Sequence, residues 1–253
     1  MKVINIAAIL ALVVATSFVT PAARAENLPI DFKILVDLSK SNTILQDLGF
    51  SRLGAEKSNI YFFDTKDLKL FGAGLFIRAR DNAGAGGEVM VKARPLEVGD
   101  LDESWYDVAG LGCEIDATPL KAIPSCSVRI PTNPGAIAVV VGGRQDLDYI
   151  MTPDQEFFAN DFGGYDSVRA RVKVWGPIAV WRWRVPNPSG WRVFAEYWLL
   201  PSGAEFVELS IQGMSTDSLR LEAALRTIMR DRKLDPAAIS VNKTASALKA
   251  LTR

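Results

Sequence analysis

Histidine is absent from all 253 residues. That removes the side chain that titrates near neutral pH, the commonest transition-metal ligand, and any Ser-His-Asp arrangement. Chemistry in this chain falls to carboxylates, lysine, tyrosine or a hard cation held by oxygen ligands. Cysteine is almost as scarce, with Cys113 and Cys126 the two present. Two thiols without histidine are too few for a structural zinc site. In an oxidising compartment such a pair is expected to close a short loop as a disulfide. Charge of one sign is not in excess either, with 29 basic against 29 acidic side chains. No nucleic-acid partner is therefore expected, since a general nucleic-acid binder carries a basic excess.

Long apolar runs are missing after residue 25, so no membrane anchor is expected in the mature chain. Before it, the sequence carries the parts of an export leader. Lys2 supplies the positive end, Ile4 to Val19 an apolar stretch, and Ala23-Arg24-Ala25 a small-x-small cleavage pattern. The apolar stretch is short for a bilayer span, so residues 1–25 are expected to be a cleaved signal peptide. The mature protein is then expected to be periplasmic or secreted. Cleavage removes Lys2 and Arg24 and no acid, leaving 27 basic against 29 acidic side chains. Residues 26–253 are expected to form a single domain, with a cysteine-containing insertion at about 96–165.

The mature chain reads mainly as strands. Leu75 to Arg80 and Glu88 to Arg94 alternate in polarity around a loop holding Gly84, Gly86 and Gly87, the pattern of a hairpin. Further strands are expected at Asp31–Leu38, Ile60–Asp64, Ser167–Trp175, Ala179–Val185, Trp191–Leu200 and Glu205–Gln212. Gly176-Pro177 reads as a turn between two of them. Short helices are expected at Pro134–Val141 and Asp154–Asn160, the second capped by Thr152 or Asp154. A longer helix over Thr216–Arg232 carries an apolar stripe of Leu219, Leu221, Leu225 and Met229, with Ser215 or Asp217 as its cap.

Charged residues on these strands fall on one parity: Arg78 with Arg80, Lys92 with Arg94, Arg169 with Arg171 and Lys173, Arg182 with Arg184, Arg192 with Glu196, and Glu208 with Ser210. Side chains two apart share a face, so each set lines one surface. Two readings fit: an ordinary sheet with a wet outer face, or a barrel with a basic interior. Alternation by itself does not say which face is inside. Trp175, Trp181, Trp183, Trp191 and Trp198 are expected to form an apolar outer face beneath the helices.

Tyr61 to Arg80, through Tyr-Phe-Phe-Asp-Thr, a leucine, a glycine and Arg-x-Arg, resembles the CYTH domain, also called the triphosphate tunnel metalloenzyme family. Val89-Met90-Val91-Lys92 resembles that family's next strand. Pro29 to Val36 is similar to its opening Glu-x-Glu-x-Lys strand, Phe206 to Ile211 to its late Glu-x-Glu strand, and Ser240 to Leu248 to its lysine-bearing terminal segment. The resemblance implies an α+β fold that is mainly antiparallel, with about eight strands closed or nearly closed into a tunnel flanked by helices.

Mapped by position, it implies phosphate grips at Lys33, Arg78, Arg80, Lys92, Arg169, Arg171 and Lys243. It also implies metal carboxylates at Asp31, Glu196 and Glu208 holding Mg²⁺ or Mn²⁺, with Glu196 and Glu208 serving catalysis. The chain departs from the pattern at three places: Pro29 and Ser210 stand where the family has glutamates, and Asp31 is a shortened one. Losing two carboxylates favours an exported protein that binds a triphosphate- or polyphosphate-type polyanion over one that hydrolyses it. The alternatives are a metal-dependent tri-/polyphosphate or nucleoside triphosphate phosphohydrolase, and a non-catalytic structural module.

Overall fold

The computed structural model describes residues 27–38, 44–48, 54–82, 85–237 and 243–252, so the expected leader lies outside the described residues. The chain begins its sheet with β1 (Pro29–Val36), makes one helical turn, α1 (Ile44–Asp47), and returns as β2 (Glu56–Asp64). A second turn, α2 (Lys69–Gly72), leads into the hairpin of β3 (Leu75–Asp81) and β4 (Gly87–Ala93). A further hairpin, β5 (Leu111–Thr118) and β6 (Lys121–Thr132), precedes α3 (Ala136–Val141) and α4 (Pro153–Gly163). Then come β7 (Lys173–Arg184), β8 (Arg192–Leu199), β9 (Glu205–Met214), α5 (Ser218–Asp231) and α6 (Lys243–Leu251).

The strands close into a barrel in the order β1-β5-β6-β4-β3-β2-β7-β8-β9. The expected α+β barrel with flanking helices is present, with nine staves in place of about eight. One seam is parallel, β1 against β5 with Ile30 opposite Ile115, and the others are antiparallel. Residues 111–132, part of the stretch read as an insertion, supply two of the staves. Cys113 and Cys126 face each other across that hairpin and are joined by a disulfide.

Two expectations around residue 170 are corrected. Ser167 to Arg171 is not strand: Tyr165–Ser167 and Arg169–Arg171 are 3₁₀ turns. Gly176-Pro177 is not a turn but an irregularity inside β7, where the register against β2 shifts between Ile60 and Phe62. Proline cannot donate to a ladder, and a bulge is one place in a strand that tolerates it.

The outward parity is apolar. Leu75, Ile77 and Ala79 of β3 and Val89 and Val91 of β4 are buried against Phe158 and Ala159 of α4. Each large side chain buried this way contributes roughly 1.5–3 kcal/mol. Thr152, not Asp154, caps α4: its hydroxyl accepts from the Gln155 amide at 3.3 Å, and Gln155 Oε1 accepts from Thr152 N. The buried Gln155 amide also donates to the carbonyls of Val89 and Val128, fixing the helix over β4 and β6. On the opposite flank, Leu221, Leu225, Ile228 and Met229 of α5 cover Ile30, Phe32, Val193 and Trp183.

α6 packs differently. Its Ala247 and Leu248 meet Ile60, Ile178, Val180, Trp198 and Leu200. On β2, β7 and β8 these share parity with Ser58, Arg182 and Glu196, so they point inward. The C-terminal helix therefore stoppers one end of the barrel. Trp181, Trp183 and Trp191 lie on the outer face as expected, whereas Trp198 is inside it and 1% exposed.

Candidate tunnel site

The barrel interior encloses a cavity of about 610 Å³. Its lining holds eight basic side chains: Lys33, Arg78, Arg80, Lys92, Arg94, Arg129, Arg182 and Lys243. Seven acids lie among them: Asp31, Glu56, Glu88, Glu114, Asp116, Glu196 and Glu208. The sets Arg78 with Arg80, Lys92 with Arg94, and Glu208 with Ser210 thus face inward, and the interior is nearly charge-balanced rather than purely basic.

Asp116 of β5 is the hub of one cluster. Lys33 Nζ lies 2.5 Å from its Oδ1, Lys92 Nζ 2.5 Å from its Oδ2, and Arg94 Nη1 3.6 Å from Oδ2. Ser125 donates to the same carboxylate. Lys33 also pairs with Asp31 at 3.0 Å and Lys92 with Glu114 at 2.8 Å. Burial alone would raise the Asp116 pKa, but Lys33 and Lys92 outweigh it and hold the carboxyl well below the usual range. Asp31 goes the other way. Burial dominates and lifts it to about 6, Lys33 offsetting only part.

Glu196 of β8 is the hub of the second cluster. Lys243 Nζ reaches it at 2.8 Å and Glu208 at 2.7 Å, while Arg80 lies 3.0 Å and Arg182 3.8 Å from Glu196. The Trp198 indole donates to Glu196 at 3.0 Å, and Lys243 stands 4.2 Å from that ring's centre. Burial again opposes the charge on Glu196, and Lys243 and Arg80 override it to push the pKa well down.

Between the clusters runs a row set by strand register: Phe62 opposite Arg78, Arg78 opposite Met90, and Met90 opposite Arg129. Arg78 Nη2 is 3.8 Å and Arg129 Nη2 3.4 Å from the Met90 sulfur, a weak acceptor. Arg78 has one carboxylate partner, Glu88 at 3.3 Å, and its Nε is buried with no hydrogen bond among the described residues. Burial, reinforced by the Arg80 charge, lowers the Arg78 pKa to about 10. Arg129 has no acidic partner among the described residues. Both guanidiniums are incompletely satisfied by the protein itself.

Five of the expected grips, Lys33, Arg78, Arg80, Lys92 and Lys243, converge on the cavity. Arg169 and Arg171 do not, which corrects that expectation. They stand on a 3₁₀ turn outside the barrel, where Arg169 binds Asp148 and lies 3.4 Å from Glu156. Strand parity could not transfer to residues that are not in a strand. Asp64 and Thr65, from the resembling motif, are structural: Asp64 accepts from the amides of Thr65, Leu70 and Phe71 and so organises α2.

Arg129, Glu114 and Asp116 were not singled out by the sequence reading. The alternation Glu114-Ile115-Asp116-Ala117 carried the same parity signal, hidden by reading that stretch as a loop.

At the level of sequence no family model matches the chain, and no curated relative is found. Among solved structures it is similar to a proposed adenylate cyclase from Bacillus halodurans, at TM-score 0.58 and 12% identity over 87% of this chain and 98% of that one. It is also similar to a proposed adenylyl cyclase from Hippeastrum whose dominant activity is that of a triphosphatase. That likeness has TM-score 0.62 and 14% identity, over 87% of this chain and 95% of that one. The chain has the triphosphate-tunnel fold.

The tunnel's donors do not fit the divalent ion that the resemblance implies. Among the described residues no group of three or more ligating side chains is placed to hold one. Glu196 and Glu208 are both engaged by Lys243, and Asp31 by Lys33. An ion coordinating at about 2.0–2.6 Å would have to share that space with an ammonium group.

Proposed function

We propose that the tunnel binds a phosphate-bearing small anion through Arg78 and Arg129, with Arg80 and Arg182 beside them, and does not hydrolyse it. The observation that carries this reading is the buried, unpartnered Nε of Arg78, next to a second guanidinium that donates to a thioether. Leaving such donors unmet is costly, and phosphate oxygens match the guanidinium fork. The stoppered end formed by α6 supports entry through the mouth near Glu56, Asn82 and Gln212, and a short ligand rather than a threaded polymer. The competing reading, hydrolysis, is supported by the activity of the Hippeastrum protein.

The test is titration of the mature chain with tripolyphosphate, ATP and orthophosphate, following heat of binding and phosphate release together. Binding without release is expected, with Arg78→Ala weakening it about 10- to 100-fold. Release that outlasts a metal chelator, or that needs a metal, would overturn the reading. We also propose that the protein acts outside the cytoplasm, supported by the leader-like residues 1–25 and by the Cys113–Cys126 disulfide. A mature mass beginning at Glu26 in the extracytoplasmic fraction checks this.

A further inference from the structure

Two pairs of like charges stand directly opposite each other on neighbouring strands of the tunnel. Glu196 of β8 faces Glu208 of β9, and Asp31 of β1 faces Asp116 of β5. Carboxylates directly across a strand pair repel, and more so away from bulk water. Each pair therefore requires a cation between its members.

In both cases the chain supplies it. Lys243 Nζ lies 2.8 Å from Glu196 and 2.7 Å from Glu208. Lys33 Nζ lies 3.0 Å from Asp31 and 2.5 Å from Asp116. Neither ammonium is a loose surface charge. Lys243 is 8% exposed, rests on the Trp198 ring and opens the helix that stoppers the barrel. Lys33 is fixed in β1 between the β5 and β9 seams.

We propose that Lys243 and Lys33 are the tunnel's resident cations, each bridging a facing carboxylate pair in place of a divalent ion, so that ligand binding in this tunnel is independent of Mg²⁺ and Mn²⁺. The proposal rests on the tunnel being the ligand site, but its first test needs no phosphate ligand. Three carboxylates expected to hold metal, Asp31, Glu196 and Glu208, are thereby accounted for as counter-ions of lysine. If Lys243 is removed, Glu208 keeps no ion pair among the described residues, while Arg80 and Arg182 stay on Glu196 alone.

The experiment is Mn²⁺ binding followed by electron paramagnetic resonance, with melting temperature as a second readout, on the full mature chain without phosphate. The wild-type chain is expected to bind no Mn²⁺ at millimolar concentration. Lys243→Met, which keeps most of the apolar stem, is expected to gain Mn²⁺ binding and a Mn²⁺-dependent rise in melting temperature. Both gains should vanish in Lys243→Met combined with Glu208→Gln. Mn²⁺ binding by the wild-type chain that Glu196→Gln abolishes would overturn the proposal, and this holds even where Lys243→Met fails to fold. A folded Lys243→Met variant that binds no Mn²⁺ would overturn it as well. In a separate arm, tripolyphosphate affinity should differ less than twofold between chelator and Mn²⁺, and a tenfold dependence on Mn²⁺ counts against it. Absence of any phosphate binding would instead sink the functional reading and leave the Mn²⁺ result standing.

Discussion

Asp116 gathers Lys33, Lys92 and Arg94, whereas Arg78 and Arg129 meet over the sulfur of Met90. The first group comes from β1, β4 with the residue after it, and β5, the second from β3, β4 and β6, and both line the same cavity. In the first, cations and carboxylates satisfy one another. In the second, donors outnumber acceptors and one nitrogen is left unpaired. A paired cation is held in place and gives the fold its shape, and recruiting it for a ligand means undoing a buried pair. An under-paired cation has already lost its water without gaining a partner, so an incoming anion meets less resistance there.

Breaking the first group should cost most. Asp116→Ala leaves Arg94 without an ion pair among the described residues and Lys33 and Lys92 with one carboxylate each, and is expected to destabilise by about 3–5 kcal/mol, read from urea unfolding. Reducing the disulfide, which spans a separation of 13 residues beside that cluster, should cost at most about 3 kcal/mol in the chain-entropy model. Melting with and without a reductant measures this. By contrast, Arg129→Ala should weaken phosphate binding about tenfold while leaving urea stability nearly intact, because it removes a charge that the fold does not use.

A subtler effect separates two acids that share Lys33. Asp31 titrates at about 6 when folded against 3.8 in the unfolded chain. Between those values the folded chain keeps a proton that the unfolded one has released, so stability contributed by Asp31 falls as pH rises through the window. Asp116 is held below its ordinary value, so its contribution is complete above about pH 4 and is lost as pH falls further. Urea midpoints between about pH 4 and pH 7 should therefore show a decline that Asp31→Asn lacks. The smallest effect is expected from Arg169→Ala, which lies outside the tunnel and should leave anion affinity unchanged in the same titration.

Much of this was legible before any tertiary contact was known. The Arg-x-Arg spacing at Arg78 and Arg80, and the alternation around Lys92, placed those side chains on one face because strand periodicity is local. The short helices expected over Pro134–Val141 and Asp154–Asn160 form as Ala136–Val141 and Pro153–Gly163, and the tunnel fold itself is implied by the resembling stretch between Tyr61 and Arg80. Arg169 and Arg171 went wrong because period-two spacing is also met by chance in a turn. Glu114 and Asp116 were passed over because a proline-bearing, cysteine-flanked segment does not announce itself as a central stave.

The sequence by itself determined which residues share a face, that histidine chemistry is absent, and that two cysteines were free to pair with each other. Only the tertiary structure decided that the charged face is the inside, since a strand's alternation is symmetric until helices cover one surface. It also decided who neutralises whom. Lys243 lies 47 residues beyond Glu196 and Lys33 lies 83 before Asp116. Such partners are set by barrel closure and by the seating of α6, not by anything near them in the chain.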